Sequence, residues 1–597
     1  MNVNAICIAC MAILSHGFDD PPSPEDVARA HWYKAYAVEV ATLQPGTPLD
    51  DLSRFKPMIG DARVVGLGEG THGSHEHFRA KHRLFEFLVR EKGFTVLAME
   101  ANVPEASAID EFIKGDDRAP DAPNVESLIR GMGFWIWNTE EVRDLVVWMR
   151  SYNRNCRDAP GFQRLRFAGV DMQKGAMSLG IVRDALASHD VEWFATEGAP
   201  MVERLVSYDP MGDPAAGDFG CVTATFPVEA ARGRTIRFSG SIRTEGLERG
   251  FAGLWWRVDG PTPAFDNMGG RGVFGTTDWQ ERSIELVVPL DAKAIAFGVL
   301  MPGTGSAWFD GLSITIDGVP WKGDGFDLDF EGDSFEQLRI AGPNGDPASP
   351  AYAVGHDIAV AHSGRQSLRI QRIPSPGLDQ IHSQAVASAS VLHERIRSTQ
   401  PTLEPALGKD GYEWLLRNAR VVEQWAGMAL AEGGGFAHRE QCMAENLAWI
   451  GERHPNAKIA LWAHNFHVRD EVPFMGSHLR RRFGKDYVNV ALCSLRGSYT
   501  ATALDGRGLQ EFALASPPQD AFESTLQRSL TPRLIVDLRA ARADDPTSAW
   551  LTESRPFGGT IGSMEMPEPF APVKLYGHFD LLFYVEEMRA ARQLAAP

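Results

Sequence analysis

Cysteine is scarce in this chain of 597 residues, and its few copies are scattered. The six are Cys7, Cys10, Cys156, Cys221, Cys442 and Cys493. Cys7 and Cys10 form one C-x-x-C, but no second pair accompanies it, as a structural zinc site would require. The spacing therefore predicts neither a disulfide framework nor a structural zinc site.

The sequence also lacks long apolar runs and an excess of positive charge. Beyond the N-terminal segment, no run approaches the roughly 18 apolar residues of a membrane-spanning helix. The chain has 59 Lys and Arg against 78 Asp and Glu, a formal net charge of −19. A charge of this sign argues against nucleic acid or an anionic membrane as the main partner.

What is present is typical of a soluble globular protein. Hydrophobic residues make up 44% of the chain and charged residues 23%, which is an ordinary balance. A single hydrophobic core does not grow to 597 residues, so two or three domains are expected.

The N-terminus carries one apolar run, from Ala5 to Leu14. Its length suits the core of a signal peptide, but no Lys or Arg precedes Arg29. Residues 1–22 are therefore interpreted as a signal segment or a disordered terminus. A cytoplasmic and an exported location both stay open.

The most informative stretch is a buried strand, Val64 to Leu67, followed by glycine-rich residues 68–73. Ser74 is a candidate N-cap for a helix, and a second buried strand ends at Glu100. A strand–loop–helix–strand unit requires parallel strands. It would bring Glu69, His72 and Glu100 to the carboxyl edge of a sheet, where open α/β sheets bind ligands.

Two later strands end in the same way. One, over 165–170, ends at Asp171, and another, over 458–463, ends in His464, Asn465 and His467. Further strands are predicted over 488–492, 534–538 and 581–585, and a helix is predicted over 23–45. These elements predict an α/β fold with a mostly parallel sheet flanked by helices.

Between these parts the pattern changes to short alternating runs separated by Gly, Pro and Asp. This pattern predicts an all-β sandwich over 207–375, and the segment resembles carbohydrate-binding jelly rolls. It would interrupt an α/β domain whose two parts cover 23–206 and 376–597. Its tryptophans are candidates either for stacking on sugar rings or for the sandwich core: Trp255, Trp256, Trp279, Trp308 and Trp321.

A histidine that follows a strand is usually a hydrogen-bonded structural residue, and a glutamate there is usually a helix cap. Recurrence of such residues at one sheet edge favours a site instead. An imidazole beside carboxylates is what general-base catalysis needs, because one carboxylate can fix the tautomer while another stabilises charge.

Three separated motifs resemble the erythromycin esterase family. They are Gly-Glu-Gly-Thr-His-Gly at 68–73, the strand that ends in Glu100, and Trp-Ala-His-Asn-x-His at 462–467. Met-Ala-Glu-Asn-Leu at 443–447 also looks like that family. The resemblance spans roughly residues 30–205 and 385–590, and it implies an α/β esterase that hydrolyses a small-molecule ester without a metal or other cofactor.

By this likeness His72 would be the general base that activates water, supported by Glu69 and Glu100, with His464 and His467 completing the catalytic set. Lys81 stands where the family carries a basic residue, so its side chain points into the cleft or is solvated. The remaining substrate-binding candidates are Asp171, Trp135, Trp137 and Asn465. The two tryptophans form either an apolar wall or a plug in the core.

Other functions stay open at this stage. The chain has no Gly-x-Ser-x-Gly elbow, which argues against a serine hydrolase. A metal-dependent hydrolase built on the same histidines, with His75 and His77, is the main rival. Transfer of an acyl group, or a glycan-binding protein with a vestigial site, is the other alternative, and macrolide lactones are one candidate substrate among many.

Overall fold

The computed structural model describes most of the chain. The described residues are 32–115, 124–210, 219–261, 264–268, 271–322, 326–332, 338–341, 349, 351–373, 376–430, 434–504 and 507–595. The predicted signal or disordered segment 1–22, with its C-x-x-C, lies outside them.

The chain forms two compact units. The first contains residues 1–192, 395–425 and 437–597, and the second contains 193–394 and 426–436. The predicted domain boundaries at 206 and 375 stay a prediction.

The strands follow one another along the chain in this order: β1 Ala37–Glu39, β2 Val64–Leu67, β3 Val96–Asn102, β4 Arg166–Asp171, β5 Phe219–Phe226, β6 Thr235–Asp259, β7 Ala264–Asp266, β8 Val273–Val287, β9 Ala294–Pro302, β10 Ser306–Ile316, β11 Val319–Pro320, β12 Arg339–Ile340, β13 Tyr352–Asp357, β14 Ser367–Arg372, β15 Ile459–Trp462, β16 Tyr487–Thr502, β17 Leu509–Ala513, β18 Arg533–Asp537, β19 Ser554–Phe557, β20 Ala571–Lys574 and β21 Leu581–Met588.

The helices are α1 Phe55–Ile59, α2 His75–Lys92, α3 Val103–Lys114, α4 Val125–Gly131, α5 Glu140–Asn155, α6 Ala176–His189, α7 Val191–Trp193, α8 Ala199–Val206, α9 Pro376–Ser398, α10 Gln400–Gly427, α11 Gly434–Arg453, α12 Asn465–Val468, α13 Met475–Phe483 and α14 Phe522–Gln527. A short 3-10 turn, Trp135–Trp137, precedes α5.

The first unit is built on a nine-stranded sheet with the order β1-β18-β21-β16-β2-β15-β3-β4, and β17 pairs with β16. From β21 to β4 along this order the neighbouring strands are parallel. β18 and β1 add an antiparallel edge. The predicted mixed α/β fold with a mostly parallel sheet is therefore confirmed.

The position of β15 decides where the site forms. β15 lies between β2 and β3, and its last residue, Trp462, is in register with Leu67 of β2 and Met99 of β3. The residues that follow these three strands consequently leave the sheet at one edge. This edge is the carboxyl one, as the strand–loop–helix pattern predicts.

Both faces of this sheet are buried, which explains why its strands are nearly continuous in apolar residues. Val65 and Trp462 belong to the core on one face, and Val64 and Leu461 to the core on the other.

The helix predicted over 23–45 is wrong from residue 37 onward, because β1 pairs there with β18. This edge pairing overrides a local pattern that favours a helix.

The second unit contains a ten-stranded antiparallel sheet with the order β12-β5-β9-β6-β10-β14-β13. β7, β8 and β11 pair at its sides. Trp255, Trp256 and Trp308 are buried there, so their rings pack inside the unit, whereas Trp279 and Trp321 are partly exposed. The jelly-roll topology and the binding of a glycan stay predictions.

No helix among the described residues is both long and apolar enough to cross a bilayer.

Candidate active site

The loop after β2 fits its surroundings only because glycine stands at positions 68 and 73. A Cβ on Gly68 would lie 2.2 Å from Asn465 Oδ1, and one on Gly73 would lie 1.9 Å from the carbonyl oxygen of Thr500. Ser74 then caps α2, its side chain accepting from the amide of His77. This tight path brings Glu69 and His72 to the edge of the sheet within four residues of each other.

His72 is held by Glu69. Its Nδ1 lies 2.6 Å from Glu69 Oε1, and because a carboxylate only accepts, Nδ1 carries the proton. In the neutral ring Nε2 then has a free lone pair, and no hydrogen-bond partner for it is found among the described residues. The side chain of His72 is 8% exposed, whereas that of Glu69 is fully buried.

Lys81, from α2, lies beneath this pair. Its ammonium group donates to Glu69 Oε2 at 2.6 Å and to the carbonyl of Ala463 at 3.1 Å, and it sits 4.3 Å from the ring centroid of Trp462. The side chain of Lys81 is fully buried under Glu69, so the alternative of a solvated lysine is wrong. A role of Lys81 in binding the substrate stays a prediction. Glu69 is the counter-ion of Lys81.

The charges of this pair stabilise each other. Burial acts to raise the pKa of Glu69, but Lys81 and His72 outweigh it and lower that pKa. Burial lowers the pKa of Lys81 to about 8, and Glu69 offsets only part of that effect. Glu69 is thus an anion that can orient His72 and stabilise the imidazolium formed when His72 takes a proton.

Glu100 lies two residues before the end of β3, which extends to Asn102 and not only to Glu100 as predicted, and both of its carboxylate oxygens are bonded. Its Oε2 accepts from the backbone amide of His464 at 3.0 Å. Its Oε1 accepts from Arg439 Nη2 at 2.8 Å and lies 2.9 Å from His467 Nε2. Burial acts to raise the pKa of Glu100, but His467 and Arg439 outweigh it and hold that pKa well below its usual value.

His467 lies between two carboxylates. Besides Glu100, Glu440 Oε1 lies 2.6 Å from His467 Nδ1, while the guanidinium of Arg439 is farther from Nε2, at 3.3 Å. Burial acts to lower the pKa of His467, but Glu100 and Glu440 outweigh it and raise that pKa to about 10. His467 is therefore a buried imidazolium at neutral pH and has no lone pair with which to accept a proton.

His464 is neutral and also occupied. Its Nε2 donates to the carbonyl of Ile561 at 2.9 Å, and its Nδ1 accepts from the amide of Phe466 at 3.2 Å. Burial, with His72 and His467 adding to it, lowers the pKa of His464 to about 3. The ring centroid of His464 lies 5.1 Å from that of His72.

Three of the predicted substrate-binding residues form hydrogen bonds with other groups of the protein. Asn465 uses its amide on the backbone of Leu492 and Gly559. The Asp171 carboxylate binds Arg439. Trp137 donates to the carbonyl of Glu100 at 2.9 Å and packs edge-on against His72.

Among the described residues the structure thus joins every predicted site residue except Trp135, which packs half-buried on the core. The roles assigned to these residues stay proposals. The polar side-chain atoms of Asp171, Trp137 and Asn465 are bonded to other groups of the protein.

Sequence reasoning missed Arg439, Glu440 and the glycine-containing loop at 557–562. Arg439 and Glu440 precede Met443 on α11 by four and three residues, so they share its inward face. Two charged residues on the apolar face of a helix are the signal that could have revealed them. The loop has no such signal.

Among the residues that the structure describes, no group of three or more His, Cys, Asp or Glu side chains is arranged to hold a metal ion.

The structure thus defines an α/β protein whose mostly parallel sheet holds a carboxylate-bound histidine at its carboxyl edge. The erythromycin esterase family matches residues 89–228 and 353–588, and the chain belongs to that family.

Individual relatives are more distant. Erythromycin esterase type II of Escherichia coli is 27% identical over 165 residues, which are 27% of this chain and 36% of that protein. A solved Bacillus cereus protein is 19% identical, with a TM-score of 0.58 over 96% of this chain and all of the other. A mutant of the erythromycin esterase EreC in its open conformation is 13% identical, with a TM-score of 0.51 over 94% of this chain and 99% of its own.

The match to the Escherichia coli esterase spans about a third of that protein's length. At these identities the solved structures show the shared fold.

Proposed function

We propose that this protein hydrolyses a carboxylic ester with water activated by His72. One observation carries the proposal: of the three histidines at the sheet edge, only His72 keeps a ring nitrogen unbound among the described residues. His464 uses both nitrogens on the backbone, and His467 has both against carboxylates. A general base needs a free lone pair, so His72 is the base.

In this mechanism Glu69 fixes the tautomer of His72 through Nδ1. Nε2 takes a proton from water, and the resulting hydroxide attacks the ester carbonyl. The imidazolium is stabilised by Glu69 and then returns its proton to the leaving alkoxide. Lys81 keeps Glu69 ionised throughout and does not touch the substrate.

Glu100, Arg439 and His467 serve the geometry of the site. Glu100 accepts from the amide of His464 and so fixes the turn that carries the His464 ring against His72. Arg439 and His467 supply the positive charges that keep Glu100 ionised in a buried place. The rings of His464 and Trp137 then hold the imidazole of His72 from two sides.

The substrate is a small-molecule ester. Relatives bear the name erythromycin esterase, so a macrolide lactone is one compound to assay, beside aryl acetates, simple lactones and acylated sugars. A panel of these compounds, with wild type and His72→Ala, tests the proposal. Turnover of at least one compound should fall about 100-fold or more in the variant.

A matched control is His189→Ala, which removes an exposed histidine at the end of α6. It should leave turnover unchanged. Undiminished hydrolysis by a folded His72→Ala variant would refute the role of His72, and absence of hydrolysis of every ester by wild type would refute the esterase.

A further inference from the structure

A glycine-containing loop, residues 557–562, covers two of the site residues. The carbonyl of Ile561 accepts from His464 Nε2 at 2.9 Å, and the carbonyl of Gly559 accepts from Asn465 Nδ2 at 2.7 Å. The orientation of the His464 ring, which packs on His72, therefore depends on where this loop lies.

The loop has little room to move. A Cβ on Gly559 would lie 2.3 Å from the Phe557 ring and 2.8 Å from Asn465 Nδ2. A Cβ on Gly70 would lie 3.0 Å from the Cα of Gly559, so the two glycine-containing loops touch backbone to backbone. A shift of a few tenths of an ångström in the loop would alter the bond to His464.

Glu523, in the first turn of α14, holds this loop from below. Its side chain is fully buried, and its Oε1 accepts from the amide of Gly558 at 2.8 Å. Its Oε2 has no hydrogen-bond partner, and no Lys, Arg or His forms an ion pair with Glu523 among the described residues. A lone carboxylate in such a place would be strongly disfavoured.

The groups that face Glu523 do not carry charge either. They are the thiol of Cys493 on β16 and the phenol of Tyr584 on β21. Burial raises the pKa of both groups above their usual values, which already lie above neutral pH. Arg555 of β19 is paired with Glu553. Burial likewise raises the pKa of Glu523 to about 8, with the Gly558 amide offsetting part of the effect.

We infer that Glu523 is a positioning residue that works as a neutral carboxylic acid, fixing the 557–562 loop so that Ile561 orients His464. The effect of Glu523 on catalysis rests on the proposed function. The two buried glutamates differ in their surroundings, because Glu440 faces the His467 cation and Glu523 faces no cation among the described residues.

Isosteric substitutions separate the two glutamates. Glu523→Gln keeps an uncharged oxygen for the Gly558 amide, so kcat should stay within about twofold of wild type. Glu440→Gln removes the anion beside His467, so kcat should fall about tenfold or more. Glu523→Ala removes the acceptor and should lower kcat with little change in KM. Above about pH 8 kcat should fall less steeply in Glu523→Gln than in wild type, because the variant keeps only the titration of Lys81, whose pKa is about 8.

Infrared difference spectra of wild type against Glu523→Gln test the protonation state without any substrate. They should contain a protonated carboxyl band at about pH 6.5 that disappears by about pH 9.5. A carboxylate band at the lower pH would overturn the inference, as would a folded Glu523→Gln variant as impaired as Glu523→Ala. Failure of the esterase itself would instead leave the infrared result intact, with wild type inactive on every ester.

Discussion

The rings of His72 and His464 lie 5.1 Å apart between centroids, although one follows β2 and the other follows β15 in the second part of the chain. The two rings differ in what their nitrogens can do. His464 binds Ile561 and Phe466, whereas His72 keeps Nε2 free among the described residues. This difference makes the proposed mechanism open to direct tests.

Replacement of Glu69 by Gln should lower the kcat of the folded protein about 100-fold. The amide cannot stabilise the imidazolium of His72, and it can present a donor to Nδ1 and so favour the wrong tautomer. Ester hydrolysis under saturating substrate measures the effect. Glu91→Gln, which changes an exposed glutamate paired with Lys56, is the control and should behave as wild type.

Replacement of Lys81 by Met should reduce both stability and activity. Breaking a buried ion pair leaves an uncompensated charge and costs about 3–5 kcal/mol in the free energy of unfolding. The double variant Lys81→Met with Glu69→Gln removes both charges and should recover much of that stability, but none of the activity. Urea unfolding and ester assays on the same samples check this, and a double variant as unstable as the single one would contradict it.

The two carboxylates beside His467, those of Glu100 and Glu440, should make the free energy of unfolding decrease as pH rises. The pKa of His467 is raised in the folded state to about 10, so its contribution is fully present below the unfolded value of about 6.5 and is lost as pH rises through about 10. The stability difference between wild type and Glu440→Gln should therefore be largest near pH 6 and shrink toward about pH 10. A difference that grows with pH would show that His467 is not held as a cation.

Removal of divalent metals should leave hydrolysis intact. A catalytic zinc site needs about three protein ligands. Here His464 and His467 have their ring nitrogens engaged, which leaves only His72 Nε2 free among the site histidines in the described part of the chain. Prolonged dialysis against EDTA, with metal content measured before and after, tests this. Loss of activity that zinc restores would favour the metal-dependent alternative.

The strands of the parallel sheet could be predicted because each is a short apolar run bounded by glycine or charge, and burial on both faces leaves that trace in the sequence. The side-chain network could not. Lys81 looked like any helical lysine, since its partner Glu69 lies in a preceding loop whose path depends on contacts with Asn465 and Thr500.

β1 and the 557–562 loop are two further features that the local sequence does not predict. Residues 37–39 follow a helical pattern, yet they pair with β18, a strand almost five hundred positions later. The loop at 557–562 contributes only carbonyl oxygens to His464 and Asn465, and a carbonyl leaves no mark on residue identity. Long-range strand pairing determines β1, and backbone contacts determine the loop. Neither can be predicted from the residues close by in the sequence.

The strand order also bears on how the molecule is made. β2 and β3 are synthesised early and close together, but their common neighbour β15 arrives only after residue 459 has left the ribosome. Until then the two early strands lack the hydrogen-bonding partner that separates them. Because β15 joins β2 to β3, the sheet edge that carries His72, Glu100 and His464 cannot be completed until the second part of the chain has been synthesised.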